Sequence, residues 1–210
     1  MTATDTASPW DALHQQARHR LEYPSEHVVR FLAGVELDPE DRRTPLALDI
    51  GCGSGRHTRL LSDFGYETHS CDVSAQAVTA TKRLAYARSV KRAPMTTLPF
   101  ADEKFDVAVA FGVFYYGLLA DHAQAVMEMH RVLRPGGQGF VCVRTSNDWR
   151  ATTPDALKGE PEEGMLMHFL HEEDIAPLYA AFSEVAYELT ETTTAARERT
   201  SSDWLISVTK

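Results

Sequence analysis

The chain has 210 residues, enough for one well-buried domain and short for two. Its composition is ordinarily globular, 43% hydrophobic and 24% charged, which excludes a disordered or fibrous chain. Asp and Glu outnumber Lys and Arg by 30 to 21, a formal net charge of −9, which disfavours a polynucleotide partner; the clusters "RHTR" (56–59) and "KR" (82–83, 91–92) are too small to form a basic face.

The first residues, "MTATDTASPW", lack the basic segment and apolar core of a secretory leader. No apolar run approaches the roughly 18 to 20 residues of a membrane span. Cys52, Cys71 and Cys142 sit in or beside apolar runs without a CxxC spacing, and read as buried thiols in a reducing compartment. The expectation is a soluble, cytoplasmic protein with no membrane partner.

Apolar residues at helical spacing (Trp10, Leu13, Ala17, Leu21) predict a first helix from Trp10 to about Tyr23. Pro24 and Ser25 start a second, "EHVVRFLAGV". The charged stretch 36–45 is a loop. The pattern then alternates: strand 46–50, helix 56–65, strand 67–73, helix 74–89 with Ser74 as its N-cap, and a weak strand near 91–95. A clear strand 105–111, a helix 120–133 and a strand 137–144 follow. A polar insertion (145–166) precedes a helix near 172–181 and two closing strands, 183–192 and 203–209. Regular alternation predicts an α/β fold with a mostly parallel sheet covered on both faces, whose ligands bind beyond the carboxyl ends of the strands.

"LALDIGCGSGRHTRLL" (46–61) places an acid and three alternate glycines between a strand and a helix. Gly51, Gly53 and Gly55 permit a sharp turn and close approach of a ligand to bare backbone. The dinucleotide pattern G-x-G-x-x-G fails at its third glycine, where Arg56 stands. "DIGCGSG" (49–55) instead resembles the first motif of the class I S-adenosylmethionine (SAM)-dependent methyltransferases. "CDVS" (71–74), "LPFADEKFDVAVAF" (98–111) and "HRVLRPGGQGFVCV" (130–143) resemble three further segments of that family in the same order. The resemblance implies a Rossmann-like, doubly wound seven-stranded sheet with a C-terminal antiparallel strand. It also implies SAM as cofactor and S-adenosylhomocysteine as product.

By that resemblance Asp72, 19 residues after Gly53, holds the ribose hydroxyls, a task for which two carboxylate oxygens are suited. Asp49 serves the methionine amino group as well as capping the glycine-loop amides. Relatives carry an acid for adenine where this chain has Pro94, so backbone near Thr97 and Leu98 and packing against Met95 and Val73 take over. Phe111 lies where a main-chain carbonyl meets the amino group. The expected cofactor residues are Asp49, Gly51, Cys52, Gly53, Gly55, Asp72, Val73, Met95, Thr97, Leu98 and Phe111. Cys52 also reads as a small core residue, and Asp106 as a structural acid serving local amides.

No catalytic side chain is legible. One of Tyr115 and Tyr116 should face the crevice, for packing or for acceptor contact. His168, His171 and Glu172 are candidates for substrate contact or proton acceptance; their spacing also suits a metal or a helix cap, and no metal is expected. Residues 1–35 form a helical segment that closes over the site or simply packs, with Trp10, His14, His19 and Tyr23 in it, and 36–210 the SAM-binding domain. The expected activity is methyl transfer to an oxygen, nitrogen or sulfur of a small molecule by in-line displacement, in a monomer or homodimer without a nucleic-acid partner. A non-catalytic SAM-binding regulatory or partner module is the alternative; a nicotinamide-dependent oxidoreductase is disfavoured by Asp49 and Arg56.

Overall fold

The computed structural model describes residues 7–16, 20–37, 40–153, 156–158, 160 and 162–210. In chain order its elements are α1 (Ala7–Gln15), α2 (Glu26–Ala33), β1 (Leu46–Ile50), α3 (Arg56–Asp63), β2 (Glu67–Asp72), α4 (Ala75–Leu84), β3 (Ala87–Arg92) and β4 (Phe105–Phe111). There follow α5 (Leu119–Val132), β5 (Leu133–Arg144), α6 (Trp149–Thr152), α7 (Glu172–Leu178), β6 (Glu184–Thr194) and β7 (Arg199–Thr209).

The strands form one sheet in the order β3-β2-β1-β4-β5-β7-β6. β1, β2, β3, β4 and β5 pair in parallel, and β7 enters antiparallel between β5 and β6. The order reverses between β1 and β4, which opens a crevice above their carboxyl ends.

Period-two alternation sends side chains to two cores. Leu48, Ile50, Ala108, Ala110, Val141 and Val143 face Ala125, Val126 and Met129 of α5 and Ile175 of α7. Ala47, Val107, Val109, Phe140 and Cys142 face Val28 and Leu32 of α2 and Leu60 and Leu61 of α3. All three cysteines are buried free thiols. Among the described residues, no helix is long and apolar enough to cross a membrane.

Several elements depart from the sequence reading, and β5 and β7 each begin four residues earlier than expected, at Leu133 and Arg199. The first helix stops at Gln15, short of Tyr23, and residues 20–25 are not helical; Leu21 is 51% and Tyr23 83% exposed, so their spacing buries no face. Ala17 and His19 lie outside the described residues. The helix expected over 74–89 ends at Leu84 because Ala85 turns left-handed (φ 57°), and the strand expected near 91–95 lies earlier, at 87–92.

Asp106 is structural, as its place at the start of β4 suggests. Its side chain is 1% exposed, accepts from the Leu46 N–H at 2.7 Å, and pairs with both Arg43 and Arg134. It thereby ties the loop before β1 and the start of β5 to β4. Asp106→Ala leaves the Leu46 N–H without its acceptor and Arg43 and Arg134 with Asp41 alone, at 2.7 and 3.5 Å, at a cost of about 3 kcal/mol. Thermal melts should show a Tm lower by about 6 to 12 °C. An unchanged Tm would show that this cluster contributes nothing to stability.

Candidate active site

The glycine loop turns out of β1 beneath the crevice. Gly51 has φ +69°, and a Cβ there would lie 2.3 Å from Cγ2 of Val113, so both conformation and space demand glycine. The N–H groups of Gly51 and Cys52 donate to the Cys71 carbonyl at 2.8 and 3.0 Å, fastening the loop to β2. Gly53 (φ +51°) is different: a Cβ there would meet only Cε1 of His14, at 3.4 Å. Its bare face is turned from the core, as a ligand cradle requires.

Asp72 ends β2 directly beside this cradle. It is buried; Oδ2 accepts from the Gly53 N–H at 2.9 Å and Oδ1 from the Ser74 N–H at 2.8 Å. Burial pushes its pKa up, against the lowering effect of those two bonds. Each oxygen keeps acceptor capacity for a ribose hydroxyl.

Asp49 is buried one strand over and pushed up to about 6 by desolvation. Its bonds go to Thr58 of α3, whose hydroxyl donates at 2.6 Å and whose N–H also donates. The acid therefore caps α3 rather than the glycine-loop amides expected from its position. Cys52 is a buried thiol with a pKa raised by desolvation, which suits packing.

On the adenine side, Val73 gives its carbonyl to Arg92 Nε at 2.9 Å, and Thr97 closes a turn on the Pro94 carbonyl at 3.3 Å. Met95 is half-buried against the core. Leu98 is differently placed from the sequence reading: it is buried, its N–H donates to Glu128 Oε2 at 2.6 Å and its carbonyl accepts from Arg131 Nη2 at 3.0 Å. Both its backbone groups are held by α5. The N–H groups of Met95 and Thr96, by contrast, donate to no acceptor among the described residues. The signal for this lay in "EMHR" (128–131), an acid and a base three apart on α5.

Phe111 ends β4, where the Arg56 guanidinium lies 5.3 Å above its ring and the Gly112 N–H donates to the Cys142 carbonyl at 3.0 Å. Tyr115 and Tyr116 follow in a turn, the Tyr116 N–H reaching the Val113 carbonyl at 3.1 Å. A turn removes the alternation of a strand, so both hydroxyls converge, 3.5 Å apart. Tyr115 is buried with its hydroxyl 3.7 Å from where a Gly112 Cβ would sit, and Tyr116 meets the edge of Trp10 at 4.5 Å.

The histidines separate. His168 Nε2 lies 2.9 Å from Nδ1 of buried His122, and its Nδ1 lies 3.3 Å from the Gly117 carbonyl. His122 Nε2 in turn lies 2.9 Å from Tyr179 Oη. One tautomer set satisfies the chain: Tyr179 donates to His122, His122 to His168, and His168 to Gly117. Both ring nitrogens of His168 are thus engaged. His171 is an exposed N-cap of α7 whose N–H donates to Asp174 at 3.2 Å, and Glu172 accepts from the Tyr187 hydroxyl at 3.2 Å. Neither is brought to Tyr115.

The sequence reading did not single out Asp11. Its carboxylate accepts from the Ser74 hydroxyl at 2.6 Å and the Gln76 N–H at 3.2 Å, docking α1 on the start of α4. From there His14 overlies Gly53 and Trp10 touches Tyr116, so α1 lies across both the cradle and the tyrosines.

Sheet order, glycine cradle and strand-end acid define an α/β domain of the nucleotide-binding type. Residues 48–141 match the model of the methyltransferase domain family. The chain is 33% identical over 135 residues to tocopherol O-methyltransferase of Arabidopsis thaliana, covering 61% of this chain and 37% of that protein. It is 32% identical over 105 residues to probable tRNA methyltransferase 9B of Homo sapiens, covering 50% of this chain and 22% of that one. The chain thus spans less than half the length of these curated relatives. The fold matches a SAM-dependent methyltransferase from Anabaena variabilis with a TM-score of 0.72 at 16% identity, over 99% of this chain and 94% of that one. Residues 48–141 thus resemble the methyltransferase domain, and the chain has the fold of a SAM-dependent methyltransferase.

Proposed function

We propose that this chain transfers a methyl group from SAM to an oxygen, nitrogen or sulfur nucleophile of a small molecule, releasing S-adenosylhomocysteine. The observation that carries the reading is the bare, half-buried face of Gly53 beside a buried Asp72, with two tyrosine hydroxyls gathered beyond the end of β4. Among relatives whose names point to a small molecule and to tRNA, the net charge of −9 favours the former.

In this reading Asp72 takes the ribose, the Met95 and Thr96 amides take adenine, and the loop amides and Asp49 surround the methionine part. When bound, SAM supplies a methyl on a sulfonium, whose leaving group is a neutral thioether. The protein then has to align the acceptor and exclude water, and orientation of this kind contributes on the order of 7–11 kcal/mol at best. Neither His168 nor the tyrosines themselves are poised as a base: both nitrogens of His168 are engaged, and burial raises the pKa of both phenols. Tyr115 and Tyr116 hold and orient the acceptor, while α1 with Trp10 shields the site from water. The chain acts in the cytoplasm as a monomer or homodimer.

Calorimetric titration with SAM and S-adenosylhomocysteine, followed by turnover assays on a panel of phenols, amines, thiols and carboxylic acids, tests this. Micromolar binding of both cofactor forms and acceptor-dependent release of S-adenosylhomocysteine are expected. Binding without turnover on any acceptor would favour the non-catalytic module, and absence of binding would sink both.

A further inference from the structure

Arg144 is the last residue of β5, at the carboxyl end of the strand next to β4, and so stands over the acceptor side of the crevice. Its guanidinium lies 5.8 Å from the centre of the Tyr115 ring. Only one of its three nitrogens is used. Nη1 donates to both oxygens of Asp203, each at 2.9 Å, and lies 3.6 Å from Asp148. Asp203 reaches it through the β5–β7 register, which sets residue 144 opposite 203.

This end-on pairing is not how a guanidinium and a carboxylate satisfy each other best. The usual arrangement is side-on, with two parallel N–H bonds to the two oxygens. Here the Nε–Nη2 edge is left over, and it donates to nothing among the described residues. Nε is fully enclosed and without a partner. Enclosing an N–H of a charged group without an acceptor is costly and uncommon in folded proteins. The neighbouring charges do not use the edge: Asp148 pairs with Arg150 at 3.1 Å and accepts from the Ser202 N–H, and the four charges of Arg144, Arg150, Asp148 and Asp203 cancel. Two phenolic hydroxyls, those of Tyr115 and Tyr116, converge beside the same ring.

We propose that the free Nε–Nη2 edge of Arg144 is the subsite for a carboxylate on the methyl acceptor, with the Tyr115 and Tyr116 hydroxyls as accessory donors. The inference rests on the methyltransferase reading and narrows its acceptor to carboxylic acids. A planar carboxylate matches the spacing of the two N–H groups, and once the side chains that enclose Nε part to admit it, it supplies the acceptor that Nε lacks. A point cation would do this less well, so lysine is not an equivalent residue here. The subsite fixes the acceptor's orientation; it does not decide which of the acceptor's atoms receives the methyl.

The test uses two acids, octanoate and benzoate, and their primary amides, titrated calorimetrically into the full chain with and without saturating S-adenosylhomocysteine. The acids are expected to bind at least 10-fold more tightly than the amides. Arg144→Gln should abolish that preference. Arg144→Lys keeps a cation for Asp203 and Asp148, and so keeps the fold, yet should also lose most of the preference. Affinity for S-adenosylhomocysteine should stay within twofold in both variants. Equal binding of acid and amide, binding of neither, or a preference that survives in Arg144→Lys would overturn the proposal. Loss of S-adenosylhomocysteine binding in the unmodified chain would instead strike the methyltransferase reading, and the acid–amide comparison without it would still decide the subsite.

Discussion

Asp72→Ala is expected to weaken SAM binding by at least 100-fold, the largest change of any single cofactor-side substitution. The carboxylate has two tasks. It draws in the N–H groups of Gly53 and Ser74, at 2.9 and 2.8 Å, and so fixes the cradle; in the proposed complex it also accepts from the ribose. Hydrogen bonds to a charged group are worth roughly 1.5–3 kcal/mol each, so losing two to the ligand gives two or more orders of magnitude. Asp72→Asn separates the tasks. Its carbonyl oxygen still accepts from a loop amide, whereas its NH2 replaces one acceptor by donors. It should keep the fold and bind SAM with an affinity between the other two. Calorimetry paired with thermal melts reads both effects. An Asp72→Ala protein that melts normally and binds SAM within threefold of the parent would remove Asp72 from the cofactor site.

A second large effect concerns acid. His57 and His122 are buried neutral, each pushed down to about 3 by desolvation, with Arg56 adding at His57 and His168 at His122. Their ordinary value is 6.5, so below that pH the unfolded chain takes up protons that the folded one refuses. The stability they contribute is complete above pH 6.5 and is lost as pH falls toward 3. Between pH 7 and 5 each costs about 2 kcal/mol. Asp49 works in the opposite sense. Its carboxyl is held at about 6 against 3.8 when unfolded, so lowering the pH through 6 relieves the burial of its charge, by about 1 kcal/mol over the same interval. These two histidines outweigh Asp49 by about 2–3 kcal/mol. Asp72 and Asp203, also raised by burial, act in the sense of Asp49, and His69, His130 and His168, lowered by burial, act in the sense of the two histidines.

Melts at pH 7 and pH 5 should therefore differ by about 5 to 10 °C. His122→Gln should shrink the difference by about two thirds, since glutamine does not titrate. Asp49→Asn should raise the Tm at pH 7, because the amide avoids a buried charge while its oxygen still accepts from Thr58. Equal melting temperatures at the two pH values would show that these imidazoles are hydrated in solution.

The parts of the fold read most directly from sequence are those whose information is local. β1 and β4 begin and end where their apolar runs do, because both are central strands buried on two faces. The acid–glycine loop is legible for a related reason: positive φ at Gly51 and the near approach of Val113 admit one residue type. β3 is harder. "ARSVKR" is an edge strand with Val90 as its one buried residue, and without alternation its boundaries hide inside a helical pattern that Ala85 ends. The long-range contacts around the crevice were not legible at all. His122 meets His168 across 46 residues, Arg144 meets Asp203 across 59, and Glu128 takes the Leu98 amide across 30. Each depends on strand register and helix docking, which no local pattern encodes. The same holds for α1, whose spacing announced a helix but not that Asp11 would seat it on Ser74.

That seat has a thermodynamic corollary. A single helix of nine residues touches the start of α4 through Asp11, the glycine loop through His14 and the tyrosine pair through Trp10. Whatever parts it from the loop also parts it from the tyrosines. If a ligand enters only once α1 has moved aside, that work is needed once, by whichever ligand arrives first, and is not needed again by the second. Reciprocity of linked equilibria then requires each ligand to raise the other's affinity by the same factor.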